Sequence, residues 1–134
     1  MSAAKAAVKR STSDATCRAP NPSATVVATA RIMNHLGVYW TFRLDGYEAT
    51  NFGLLAGNSA AQKLLTMKII DAAVACGAKT VILPECGHAY TALRWMGANM
   101  YGQPLPFKVQ HIAEFLAEQV RDGRLRLRRV GKSV

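Results

Sequence analysis

Thr80-Val81-Ile82-Leu83 is a continuous apolar run, preceded by a helix stop at Gly77 and broken by Pro84-Glu85-Cys86-Gly87. A run with no polar alternation is the pattern of a strand covered on both faces, as in a parallel sheet with helices above and below it. The flanking segments supply those helices. Asn58 or Ser59 caps a long helix with an apolar face of Leu64, Leu65, Met67, Ile70, Ala73 and Val74, ended by Gly77. Upstream, Asn21 and Pro22 read as a helix start, and Val26, Val27, Ala30, Met33 and Leu36 follow at helical spacing up to Gly37. Val38 to Leu44 is β-branched and aromatic, a strand pattern, and Asp45-Gly46 opens a loop that Gly57 closes.

Downstream, Tyr90, Leu93 and Trp95 predict a short helix, and Gly97 to Pro106 a Gly/Pro-rich loop. Phe107-Lys108-Val109 predicts a short strand, and His111 to Val120 a helix with Ile112, Phe115, Leu116 and Val120 on one face. Leu125 and Leu127 alternate with arginines as an exposed edge strand would. The expected fold class is α/β, a single compact domain with a mainly parallel sheet and flanking helices. A chain of 134 residues leaves no room for a second core. The expected division is a flexible basic arm over 1–18, the domain over 19–129 and a tail over 130–134.

Charge narrows the partners. The net charge of +9 divides into +3 over residues 1–18, +1 over 19–120 and +5 over 121–134. The body is nearly neutral between basic ends. The arginines from Arg121 to Arg129 suit phosphate contacts, but no aromatic side chain interleaves with them, so a solvated strand face is the better reading than a nucleic-acid site. No apolar run approaches the ~20 residues of a membrane span. The three cysteines, Cys17, Cys76 and Cys86, are no disulfide framework, and a reducing cytoplasm is the expected setting.

Chemistry concentrates at Pro84-Glu85-Cys86-Gly87-His88-Ala89-Tyr90. Ligands collect beyond the carboxyl ends of strands in open α/β sheets. A thiolate there, at a helix start, meets backbone N–H groups and the helix dipole, which suits it to nucleophilic attack or metal ligation. His88, two residues on, offers a nitrogen ligand or a proton. Against these stand plainer roles: Cys86 as a small buried hydrophobe and His88 as a turn cap. Cys76 reads as core packing, His35 and His111 as structural or surface residues. No Gly-x-Gly-x-x-Gly, Walker loop or Cys-x-x-Cys pair is present.

Four segments occur in one order: Gly37-Val38-Tyr39-Trp40, Glu48-Ala49-Thr50-Asn51-Phe52-Gly53, Pro84-Glu85-Cys86-Gly87-His88-Ala89-Tyr90 and His111-Ile112-Ala113-Glu114-Phe115-Leu116. The series resembles the cysteine-rich CCG domain of heterodisulfide-reductase-type iron–sulfur proteins. The nearest likeness is to the subunit of this type in membrane complexes associated with dissimilatory sulfite reduction. The resemblance covers about residues 17–129. It implies a lone Cys, a Cys-Cys-Gly and a later Cys-x-x-Cys around a non-cubane iron–sulfur cluster used in electron transfer and thiol–disulfide chemistry. Carried over, Cys17 falls near the lone Cys, and Asn51-Phe52-Gly53 stands where Cys-Cys-Gly would. Cys86 matches the first Cys of the last pair, with Ala89 in place of the second. Two of five ligands at most remain.

The resemblance therefore implies a degenerate domain that is not catalytic alone, with an iron–sulfur cluster shared with a partner or lost. Cys86 and Cys17 are its candidate cluster and metal ligands, and His88 its candidate proton-transfer residue. Expected partners are other redox-complex subunits or a second CCG repeat, with any membrane association made through a partner. The chain ends about where the resemblance would place that second repeat. Two further readings stay open: a non-catalytic scaffold, for which Trp95, Tyr101 and Phe107 are the candidate exposed contacts, and nucleic-acid binding through the basic ends.

Overall fold

The computed structural model describes residues 4–6, 24–46, 51–84, 86–129 and 131. In chain order the elements are β1 (Ala4–Ala6), α1 (Ala24–His35), β2 (Trp40–Phe42), α2 (Asn51–Leu55), α3 (Ser59–Ala75), β3 (Thr80–Leu83), α4 (Gly87–Tyr101), β4 (Lys108–His111) and α5 (Ile112–Arg121). The strands form one sheet in the order β2-β1-β3-β4. β3 and β4 are parallel, with Leu83 opposite His111, and β1 is antiparallel to both β2 and β3.

The α/β class with helices on both faces follows from the alternation along β3. Val81 and Leu83 turn to one face and join Ile69, Ile70 and Ala73 of α3, Leu93 of α4 and Val109 of β4. Ile82 turns to the other and meets Met33 of α1 and Phe115 of α5, flanked by Leu36, Trp40, Ile112 and Leu116. Val81 and Ile82 are both fully buried, as a strand covered on each side demands.

The helix ends are built as their residues suggest. Asn58 accepts a hydrogen bond from the Ala61 amide and caps α3, and Gly77 follows at φ 61°. The buried stripe of α3 runs through Gln62, Thr66, Ile69, Ile70, Ala72 and Ala73, and the expected face residues Leu64 and Val74 lie exposed. Apolar residues ring this helix, so its inward side is chosen by packing rather than by pattern. On α5, Phe115 and Gln119 are buried and the expected face residue Val120 is exposed.

Three expectations change. The helix around Tyr90 runs on through Gly97 to Tyr101, because buried Gly97 sits inside the helix against the side chain of Leu105. The loop after Gly46 contains α2, packed against α3 and α4. Residues 126–129 form no strand, and Leu127 is 76% exposed. Within the expected arm, Ala4–Ala6 pairs as a strand in the interior of the sheet. The remainder of 1–18 lies outside the described residues.

Candidate functional site

The carboxyl ends of the two parallel strands each run into a helix start, and they lie side by side. β3 ends at Leu83, buried Pro84 follows, and Cys86 is the N-cap of α4. β4 ends at His111, which is at once its last residue and the N-cap of α5. This is the position at which open α/β sheets place their ligands.

Cys86 has the extended backbone of a cap residue, and its Sγ accepts the Ala89 N–H at 3.4 Å. The thiol is free and half-buried. A serine or asparagine is the usual occupant of such a position. A sulfur there accepts more weakly, so capping alone is a poor reason for a cysteine. His88 lies in the first turn of α4 and is exposed. Cys76 is placed as core packing: it is the C-cap of α3, packs against the first core and donates its S–H to the Ala73 carbonyl at 3.4 Å. Cys17 lies outside the described residues, as does Glu85.

Beside Cys86 stands a polar cluster that no motif announced. The Tyr90 hydroxyl donates to Glu114 Oε1 at 3.1 Å. Glu114 Oε2 accepts the His111 N–H at 2.9 Å, and His111 Nδ1 accepts the Ala113 N–H at 3.2 Å, a reciprocal capping box. The Tyr90 and His111 rings meet edge to face with centroids 5.8 Å apart. The His111 amide, followed by Tyr90 and Arg94, holds the Glu114 carboxyl below its usual range. Burial first, then Glu114, pushes the Tyr90 phenol up. The His-x-x-Glu spacing at 111–114 was the available signal for the box, although histidine is an uncommon cap. His111 is thus structural, as expected, and it ties the start of α5 to α4 at the rim where Cys86 lies.

A cluster of several thiolates does not fit the donors that the described residues bring together. Among the described residues no three His, Cys, Asp or Glu side chains converge to hold a metal ion. Cys76 packs against the core, and Asn51 and Phe52, which open α2, stand at the positions that the resemblance would give to two thiolates. Among the described residues what remains is the half-buried thiol of Cys86 at a strand–helix junction, suited to nucleophilic or single-ligand chemistry. A shallow depression lined by Ala98, Asn99, Gly102, Gln103 and Pro104 lies at the far end of α4. Of the candidate exposed contacts, Trp95 is 68% exposed, whereas Phe107 is buried and Tyr101 packs against the first core.

No protein-family model matches the chain, and no solved structure matches it. Two curated relatives do. One subunit of the dihydromethanophenazine:CoB–CoM heterodisulfide reductase of Methanosarcina mazei is 27% identical over 110 residues, covering 79% of this chain and 27% of the relative. Its counterpart in the same enzyme of Methanosarcina acetivorans is 29% identical over 104 residues, covering 74% of this chain and 25% of the relative. The chain therefore spans about a quarter of the length of the curated relatives it matches.

Proposed function

We propose that the chain is a degenerate CCG-type module of a heterodisulfide-reductase-like redox system, acting with partner subunits in electron transfer to a disulfide or sulfur substrate. The observation that carries this reading is the free thiol of Cys86 at the carboxyl end of β3, in a chain similar over three-quarters of its length to the heterodisulfide reductase polypeptides of two Methanosarcina species. The likeness to the sulfite-reduction-associated subunit favours a sulfur-compound system and rests on the Pro84-to-Tyr90 segment.

Since the chain's own donors fall short of a cluster, Cys86 and Cys17 serve as its contribution to an iron–sulfur site that a partner completes. His88, exposed and two residues after Cys86 in the chain, is the proton-transfer residue of this reading. Redox-complex subunits or a second CCG repeat are the partners. No helix among the described residues is long and apolar enough to cross a membrane, so contact with a membrane would come through those partners. The cytoplasm is the proposed setting, on the cysteine usage.

The test is isolation of the complex through a tag on this chain under anaerobic conditions, with iron, sulfide and disulfide-reducing activity measured. The expected result is an iron–sulfur-containing assembly whose rate falls at least about tenfold in Cys86→Ser. An assembly without iron and without disulfide-reducing activity refutes the redox reading. Full activity in Cys86→Ser favours the second reading, a scaffold domain, for which the replaced thiolate positions and exposed Trp95 speak. Salt-sensitive nucleic-acid binding through the basic ends is the third reading.

A further inference from the structure

The strongest concentration of unused charge follows α5. Residues 121–129 hold Arg121, Arg124, Arg126, Arg128 and Arg129 against Asp122 alone. The segment leaves the helix in a fixed direction. Gly123 turns the chain at φ 69°, the amides of Arg124 and Leu125 both donate to the Gln119 carbonyl, and Arg124 Nη2 donates to the Leu36 carbonyl at 3.3 Å. Beyond that clamp, Arg126, Arg128 and Arg129 are exposed and make no hydrogen bond or ion pair among the described residues. Leu125 is half-buried, and Leu127, between two free arginines, is 76% exposed.

A stretch whose only role is to stay solvated has no use for a leucine held 76% exposed between two arginines. Alternation of Arg with Leu is the pattern of a strand with one charged and one apolar side. No strand of the sheet takes it up. The absence of any aromatic residue over 121–134 removes the stacking groups of a single-strand binder, and the apolar alternate positions have nothing to do on a phosphate backbone.

We propose that residues 126–129, beyond the clamp, form an interaction strand that pairs, by strand addition, with an acidic strand of a partner protein. Its main chain supplies the ladder, Arg126 and Arg128 meet carboxylates opposite them, and Leu127 packs on the partner's apolar side. The clamp at Arg124 lowers the ordering cost by holding one end in place. The proposal stands apart from the redox reading and survives its failure.

The full chain is titrated against a fluorescein-labelled peptide of about ten alternating Glu and Val residues, and separately against duplex DNA, in about 150 mM salt. The expected result is saturable peptide binding that R126E/R128E weakens at least about tenfold and Leu127→Ser about threefold or more, with circular dichroism unchanged. The amides of Arg126 to Arg129 gain protection from hydrogen exchange in the complex. Absence of saturable peptide binding overturns the proposal. So does unchanged affinity in Leu127→Ser, which would reduce the segment to a charge patch, or tighter binding to the duplex than to the peptide.

Discussion

A single methyl group added at Gly53 will separate α2 from the body of the protein. Gly53 is buried where α2 meets α3, and a Cβ built on it would lie 2.1 Å from the Gln62 nitrogen, 2.3 Å from its Cα and 2.6 Å from its Cβ. That neighbour cannot yield, because the Gln62 amide is already bonded to the Asn58 carbonyl at 3.0 Å in the first turn of α3. Restoring van der Waals contact requires α2 to retreat by more than ~1 Å, and overpacking of this kind costs ~1–3 kcal/mol. The ceiling is the cost of releasing α2 altogether. It is modest, since Phe52 and Leu55 are already 60% and 63% exposed and, among the described side chains of α2, only Leu54 gives up partial burial. Gly53→Ala should therefore lose ~2–3 kcal/mol in urea unfolding, and limited proteolysis should open near α2 before the rest. The control is Gly57→Ala, where nothing lies within 4 Å and only the φ of 63° is strained, so the loss should be ~1 kcal/mol. A Gly53→Ala loss below ~0.5 kcal/mol, or no greater than that of the control, would refute the steric argument. Backbone contact with Gln62 is by itself enough to demand a glycine at this position.

Leu93→Ala empties a fully buried site between α4 and the sheet and should cost ~2–5 kcal/mol by chemical denaturation. Glu114→Ala removes the carboxylate that receives both the His111 amide and the Tyr90 hydroxyl, with an expected loss of ~1 kcal/mol at neutral pH. Because the folded protein holds this carboxyl below its ordinary value, the stabilisation is complete above the unfolded value of ~4.3. It fades as the pH falls through the lower folded value. Wild type and Glu114→Ala should thus converge in acid, and a gap unchanged at about pH 2 would count against the box. Alkylation by iodoacetamide should label Cys86 well before Cys76, which packs on the core, and mass spectrometry of the quenched protein reads the order directly.

β3 could be read from Val81-Ile82-Leu83 because burial on both faces leaves a local trace, a run without polar interruption. The caps at Asn58 and Gly77 were legible for the same reason: each satisfies its own helix end. The seat of Cys86 followed from Pro84, which breaks the strand just before it. Features made by distant contacts were not legible. Gly97 looks like loop punctuation until Leu105 is seen packed 3.2 Å from where its Cβ would stand. Tyr90 and Glu114 are 24 residues apart, and only the parallel pairing of β3 with β4 brings them together. The Arg/Leu alternation after Asp122 suggested a strand, but a pattern names a preference and a sheet must still offer an open, complementary edge.

β1 lies between β2 and β3 and hydrogen-bonds to both, yet its residues are made long before those of β3. As the chain leaves the ribosome, Ala4–Ala6 must wait for Thr80–Leu83, roughly seventy residues later, before its second edge is covered. The nascent protein can form the β1–β2 ribbon early, but it carries a bare interior edge until β3 emerges. A fusion joined just ahead of Ala4 therefore hangs from the middle of the sheet rather than from its margin.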